Sequence, residues 1–413
     1  MNISIFPFTV KPAPDESLRS LILRLTEANG YADIFWTHKL AGIRSLDASV
    51  FGENIPYLSR LSGLPEDQLR SMGWWSASRA GRRNRRMGNV LAPNSLINGH
   101  WSRACPQCLA EQGYAKTAWE LTLFCVCPTH GTVLIDQCPA CGERLSWGRP
   151  RVSRCACGFD LCASRTVPAP DEIVELHRVM LAHLPGARPD TDSLRCGLPA
   201  DYLLRLSLTE LLDLLSYLGN FHAGLDMRPA ALSARKCSVG VICSAQRSVA
   251  RLLSRWPTNF RSYVSDLIAS EQRSAEPTEQ RQLTSLTRFF YGKSRDVRFN
   301  FMWKELVELH VASGEAPSTS QAKRFSSEEV PHDVMSIREA AGQVGVSNCG
   351  IRRMLKQGIL SPSPGFARLW GANSWLVVSR GSVEQFLKER ESLVEAREAA
   401  RILGVSQSLL GVF

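Results

Sequence analysis

The stretch "CPTHGTVLIDQCPACGERLSWGRPRVSRCACGF", residues 127–159, holds five of the chain's 13 cysteines together with one histidine. Buried core cysteines have no reason to recur in close pairs, and disulfides do not persist in a reducing compartment. Short, regular spacing of cysteine and histidine is instead typical of metal ligands. This segment therefore predicts that bound metal organises the middle of the fold.

Four ligand pairs follow one another in the motifs CPQC, CPTH, CPAC and CAC. Their members are Cys105, Cys108, Cys127, His130, Cys138, Cys141, Cys155 and Cys157. Eight ligands predict two Zn²⁺ ions per chain, and tetrahedra filled entirely by protein are the mark of structural rather than catalytic sites. Sequential pairing assigns the first four ligands to one ion and the last four to the other; interleaved pairing is the alternative. Cys162 is a further candidate that could replace a ligand.

The composition is that of a globular protein, with 44% hydrophobic and 21% charged residues in a chain of 413. The N-terminus has no basic segment followed by an apolar run, and no apolar stretch of about 18 residues occurs, so we predict neither a signal peptide nor a membrane span and expect a cytoplasmic protein. A formal net charge of +10 favours a polyanionic partner such as nucleic acid, although ribosomal and membrane-surface proteins share this property.

Helical patterns dominate the first 95 residues. An amphipathic helix is predicted after Asp15, which we expect to be its cap, with Asn29 and Gly30 at its end. Residues 55–72 predict two short helices, for which an ordinary helical hairpin is favoured over a DNA-binding one. An arginine run then follows, expected to lie solvated on a surface or in a loop, where it could contact phosphates without reading sequence. Its members are Arg79, Arg82, Arg83, Arg85 and Arg86.

The sequence thus predicts a mainly α multidomain protein. Residues 168–310 read as helical, and the polar, proline-containing residues 311–333 read as a linker. The predicted parts are an N-terminal helical helix-turn-helix region at 1–95, a tandem zinc-binding module of knuckles or ribbons at 96–167, a helical domain at 168–310, a flexible linker at 311–333, a winged helix-turn-helix at 334–390 and an incomplete second helix-turn-helix repeat at 391–413.

The segment after the linker predicts a winged helix-turn-helix. Ser336 with Glu339 suits the start of one short helix, and Ser347 the start of a second, basic helix. The outward face of that second helix carries Arg352, Arg353 and Lys356, which are candidate nucleic-acid contacts. The apolar run at 374–378 predicts a wing, and a closing helix is expected from Ser382. The stretch "REAAGQVGVS" at 338–347 recurs as "REAARILGVS" at 397–406, which suggests a second unit that the chain leaves incomplete.

Three segments together resemble the TniQ family of transposon target-selection proteins, also called TnsD/TniQ. They are "PAPDESLRSLILRLTEANGY" at 12–31, the segment from "RACPQC" through "CPACGERL" at 103–145, and "LLSRWPTNFRSYVSDL" at 252–267. The resemblance spans roughly residues 5–310 and includes Trp119 and the Trp256-Pro257 pair. The Cys-x-Cys spacing of the last ligand pair departs from the family pattern. The tail resembles, more generally, the winged helices of excisionase and MerR-like proteins.

The resemblance implies a non-catalytic accessory factor in DNA transposition. Such a factor recognises a target, either DNA directly or a guide RNA–protein complex, and recruits the transposon's AAA+ ATPase and transposase. We place the ATPase contact on residues 18–25 and 57–72, and a homodimer is a further option. The alternatives are a zinc-containing transcription regulator and a metal-dependent nuclease or recombinase. We expect no enzyme, because the phosphate-loop-like "YGKS" at 291–294 has Thr287 where the loop's glycine would stand.

Overall fold

A computed structural model describes residues 6–42, 54–76, 84–187, 194–222, 232, 237–273, 286, 289–290, 299–312, 334–361 and 377–391. The protein is mainly α-helical and forms two compact units, Met1–Phe260 and Arg261–Phe413. The predicted boundaries at 95 and 167 both fall inside the first unit, and the finer subdivision stays a prediction. None of the helices in these ranges combines the length and the apolar character that a membrane crossing requires.

Where the structure describes it, the first unit begins with the helices α1 (Leu18–Ala28), α2 (Ile34–Leu40), α3 (Ile55–Ser62) and α4 (Glu66–Ser71). Helix α1 is buried along most of its length, Leu21 being 1% exposed. The predicted ATPase contact at 18–25 is therefore wrong for the apolar face of this helix, which packs into the core. Its predicted cap is also wrong, because the Ser17 hydroxyl, and not Asp15, accepts from the Ser20 amide at 3.0 Å.

A small antiparallel sheet follows in the order β1 (Trp75–Ser76), β2 (Asn84–Met87) and β3 (Val90–Pro93). Arg86 lies opposite both Trp75 and Leu91 in its register. Arg85 and Arg86 of the arginine run lie in β2 and not in a loop. Arg86 is exposed, as expected of a surface run, whereas Arg85 is half-buried. A four-residue strand with two consecutive arginines has too little apolar periodicity to be distinguished from a loop in sequence.

The cysteine-rich segment has little regular structure. It contains α5 (Pro106–Gln112), a hairpin of β4 (Val126–Cys127) with β5 (Thr132–Val133), and short 3₁₀ turns at Asn94–Leu96, Thr117–Glu120 and Leu161–Ala163. The residues just before α1 are hydrogen-bonded to the cysteine-rich segment, and the Ser17 amide donates to Ala115 O at 3.0 Å. A buried ion pair at 3.1 Å joins Arg19 of α1 to Glu120. These bonds cross the predicted boundary at residue 95.

Where the structure describes residues 168–310, they are mainly helical, as predicted. These helices are α6 (Asp171–Ala182), α7 (Ala200–Leu203), α8 (Leu208–His222), α9 (Val239–Leu253), α10 (Thr258–Arg273) and α11 (Asn300–Ala312). Within the first unit α9 packs against both α6 and α8. Helix α8 also contacts the sheet, where the Thr209 hydroxyl donates to Leu91 O at 2.8 Å.

The second unit contains β6 (Val334–Ser336), α12 (Ile337–Val344), α13 (Asn348–Lys356), β7 (Val377–Ser379) and α14 (Arg380–Glu391). The Ser347 hydroxyl caps α13 as predicted by accepting from the Gly350 amide, and Gly345 takes the left-handed conformation, with φ of 76°, that ends α12. Strand β6, which we did not predict, pairs antiparallel with β7. Helix α14 begins two residues earlier than expected. Its Ser382 hydroxyl accepts from the Ser361 amide.

A small apolar core holds these elements together. Its buried members are Ile337, Ala340, Ala341, Val344, Ile351, Leu360, Val378 and Val383. Met354 and Leu355 pack against this core half-buried. The predicted linker beyond Ala312 and the predicted second repeat beyond Glu391 lie outside the described residues.

Candidate metal centres

The structure brings the eight predicted ligands together in two clusters of four. The first contains Cys105, Cys108, Cys127 and His130, and the second contains Cys138, Cys141, Cys155 and Cys157. In each cluster the ligand atoms lie within 4.8 Å of one another. The arrangement is sequential, so the interleaved alternative is not the one the chain adopts, and Cys162 belongs to neither cluster.

The spacing of the ligand atoms matches a metal-centred tetrahedron. Ligands placed at zinc distances of about 2.3 Å for sulfur and about 2.0 Å for nitrogen would lie about 3.8 Å (S–S) and about 3.5 Å (S–N) apart. In the first cluster the sulfurs of Cys108 and Cys127 are 3.6 Å apart, and the three sulfurs lie 3.3 to 3.6 Å from His130 Nδ1. In the second, the sulfur separations are 3.7 and 3.8 Å. A metal ion at the middle of either cluster would have four protein ligands around it.

The first centre is buried between α5 and the β4–β5 hairpin. Cys105 directly precedes α5, Cys108 lies in its first turn, and Cys127 ends β4. Hydrogen bonds from Cys108 and Cys127 lower the pKa of Cys105, while sharing protons with Cys105 raises the pKa of both partners. A metal ion would displace the thiol protons of this cluster as it binds.

The second centre lies nearer the surface, with Cys138 and Cys155 buried and Cys141 and Cys157 exposed. Burial raises the pKa of Cys138, but hydrogen bonds from the backbone amides of Cys141 and Ala140 outweigh it and bring the pKa to about 7. The glycines after the second ligands of the turns, Gly142 and Gly158, have φ of 75° and 90°. This left-handed conformation, which glycine adopts without strain, turns the chain back after each ligand pair.

Two buried arginines that sequence reasoning missed hold the loops around the centres. Arg103 is 1% exposed, and its Nη1 donates to the carbonyl oxygens of Leu121, Thr122 and Phe124 at 2.7 to 3.1 Å. Arg149 donates to three carbonyl oxygens of residues 146–152 and to the Ser102 hydroxyl. Burial lowers the pKa of each guanidinium to about 10, so both remain cations at neutral pH. They replace the hydrogen bonds that these irregular loops cannot make within themselves.

A buried histidine joins α6 to the segment that carries the first centre. His177 Nδ1 donates to Ile173 O at 2.8 Å, and its Nε2 accepts from the Cys125 amide at 3.0 Å. Burial lowers the pKa of His177 to about 4, which keeps the ring neutral. The neutral tautomer with its proton on Nδ1 satisfies both partners, whereas a protonated ring would face the Cys125 amide with a second donor.

The candidate nucleic-acid contacts differ in their surroundings. Arg85 is half-buried and its Nε donates to Asn94 Oδ1 at 2.6 Å, so it serves the fold of the sheet. Arg86 is exposed on β2, and Arg352, Arg353 and Lys356 are exposed on α13. Arg79, Arg82 and Arg83 lie outside the described residues.

The fold and the clusters define a mainly α-helical protein with two centres built to hold metal ions. Residues 7–134 match the TniQ family model, so this part of the chain is similar to a TniQ domain. The matched range begins before α1 and includes all four ligands of the first centre. A TniQ domain fits a protein associated with target selection in transposition. A search of curated proteins finds no match to this chain.

Proposed function

We propose that this protein selects the target site for DNA transposition and recruits the transposon's AAA+ ATPase and transposase to it. The observation that carries the proposal is the TniQ match over residues 7–134. The target is duplex DNA, bound through the winged helix-turn-helix unit, or a guide RNA–protein complex. The protein acts in the cytoplasm and supplies binding surfaces, while its partners supply the chemistry.

Zn²⁺ is the metal we propose for both centres. Thiolate and imidazole ligands at tetrahedral spacing suit zinc, and ions enclosed by four protein ligands have no water to activate. Within the described ranges, the groups of side chains placed to hold a metal ion are these two clusters, and neither includes a carboxylate. Two-metal nucleases use carboxylate-rich sites to bind magnesium. These observations favour a structural role for the metal and a non-catalytic protein.

The basic face of α13 is the proposed DNA contact. Arg352, Arg353 and Lys356 are exposed on the helix that follows the tight turn at Gly345, while Ile351 anchors the opposite face in the core. In helix-turn-helix proteins the second helix enters the major groove. Exposed Arg86 of the first unit is a further candidate for phosphate contact.

The ATPase contact that we propose lies on α3 and α4, because α1 is buried. Tyr57 of α3 is 52% exposed, and Arg60, Gln68 and Arg70 are also exposed along this pair of helices. An exposed tyrosine among charged side chains is typical of a protein-binding surface. This surface and the basic face of α13 belong to different units, so substitutions can test each function separately.

DNA binding is tested with the full-length chain carrying Arg352→Ala, Arg353→Ala and Lys356→Ala together. Binding to a labelled duplex is measured between about 50 and 200 mM salt, where phosphate contacts release counterions. We expect weaker binding and a slope of log affinity against log salt that is shallower by about one unit for each phosphate that the helix no longer neutralises. The same variant should reduce directed insertion in cells that carry the transposon.

The matched control removes three exposed cations from other helices: Lys39→Ala, Arg251→Ala and Lys304→Ala. It changes the net charge equally and should keep the wild-type slope. A wild-type slope in the α13 variant would exclude that helix as the DNA contact. Insertion at the same sites without the protein would refute target selection, and nicking of DNA by the purified protein with magnesium would favour the nuclease alternative.

A further inference from the structure

A carboxylate outside the ligand cluster lies beside the histidine ligand of the first metal centre. Glu111 Oε1 lies 3.0 Å from His130 Nε2, while His130 Nδ1 faces the three cysteine sulfurs. A neutral imidazole carries one proton, and the nitrogen that binds a metal must offer its lone pair. With Nδ1 directed at the metal position, the proton is on Nε2, where Glu111 accepts it.

We propose that Glu111 is a positioning residue of the first centre, which fixes the tautomer and the ring orientation of His130 for metal binding through Nδ1. The inference rests on the metal sites proposed above. A carboxylate that accepts from the non-ligating nitrogen also makes the ligating nitrogen a stronger donor. Neither role requires Glu111 to touch the metal.

Helix α5 explains why the carboxylate is in place. It supplies the ligand Cys108 from its first turn and Glu111 from the next, at an i, i+3 spacing that puts both side chains on one face. Gly113, with φ of 72°, ends the helix immediately afterwards. One short helix thus holds both a ligand and the partner of another ligand, His130, which lies on the loop between β4 and β5.

The exposure of the two side chains indicates how strongly the loss of Glu111 should affect metal binding. The His130 side chain is only 12% exposed, but that of Glu111 is 57% exposed, so water can compete for the hydrogen bond. Removal of the partner of a metal-bound histidine typically changes metal affinity by about 10- to 100-fold. For a bond at the rim of the site we expect the lower end, about tenfold.

The experiment compares metal release from full-length, metal-loaded protein challenged with a chelator. Glu111→Ala should speed the release of one of the two metal ions about tenfold and leave the other at the wild-type rate. Glu111→Gln, whose amide oxygen can still accept from Nε2, should restore part of the difference. Gln112→Ala, a neighbouring exposed position on the same helix, is the matched control and should match wild type.

A second readout separates positioning from general stability. Nitrogen NMR of the metal-loaded protein should show His130 protonated at Nε2, and this proton should exchange with water faster in Glu111→Ala than in Gln112→Ala. If Glu111→Ala binds two metal ions, releases them at the wild-type rate and shows wild-type proton exchange, the role of Glu111 is overturned and the proposed metal sites stand. Wild-type protein that holds no metal would overturn both this inference and the proposed metal sites.

Discussion

His38 gives the first unit a stability that depends on pH. Its side chain is buried in α2 at 2% exposure, and neither ring nitrogen has a hydrogen-bond partner among the described residues. Burial, and secondarily the nearby Arg19 cation, lowers the pKa of His38 from 6.5 to about 4. Between pH 6.5 and about 4, His38 therefore binds a proton in the unfolded chain but stays neutral in the folded chain. Stability from this group is complete above pH 6.5 and is lost as the pH falls towards 4.

The pKa shift sets the magnitude. A shift of about 2.5 units corresponds to about 3 kcal/mol in the free energy of unfolding, lost completely below pH 4. Between pH 7.5 and 5.5 the same two pKa values give a loss of about 1.3 kcal/mol in the free energy of unfolding. This range avoids the lower pH at which the metal ligands would be protonated and release the metal. His177, whose pKa is also about 4, adds a loss in the same direction.

The test replaces His38 with glutamine, which cannot take up the proton. Urea unfolding of the full-length, metal-loaded chain is followed by tryptophan fluorescence at pH 7.5 and 5.5. We expect the wild type to lose about 1.3 kcal/mol more between these values than His38→Gln loses, whatever the two proteins' difference at pH 7.5. His100→Gln, at an exposed histidine of the same unit, is the control. Equal pH dependence in wild type and His38→Gln would refute the argument that burial keeps His38 neutral.

Two further predictions concern the segment around the metal centres. Arg103→Met should destabilise the first unit by about 3–5 kcal/mol in chemical denaturation, because three buried carbonyl oxygens lose a charged donor. Arg103→Lys should recover part of this stability. A change below about 1 kcal/mol in Arg103→Met would contradict the role of Arg103 in holding these loops. Elemental analysis should find two zinc ions per wild-type chain and one in Cys138→Ser, whose second centre should become accessible to protease while the first persists; one ion in the wild type would count against two closed sites.

The ligands could be recognised in the sequence because metal geometry is local. Two ligands separated by two residues must share a turn, and a glycine after the second, as at Gly142, supplies the left-handed backbone that the turn requires. The cap at Ser347 and the stop at Gly345 were predictable for the same reason, since both act within one turn of a helix.

Tertiary contacts decided what local pattern could not. Asp15 was a good cap by sequence, but its carboxylate pairs with Lys116 and accepts from Tyr114, so Ser17 caps α1 instead. The pairing of ligand pairs into sequential clusters was also open, because spacing fixes which residues share a turn but not which turns meet.

The polar groups that support the metal centres could not be recognised in the sequence for the same physical reason. Arg103 donates to carbonyls about twenty residues away, His177 accepts from an amide 52 residues away, and Glu111 meets His130 across 19 residues of irregular chain. Their sequence neighbours carry no sign of these partners. The sequence by itself determined which residues could bind metal and, where a cap or stop acts within one turn, as at Ser347 and Gly345, where a helix begins or ends. Only the folded chain decided which buried polar groups meet, because each hydrogen bond depends on loops that come together after the core has formed.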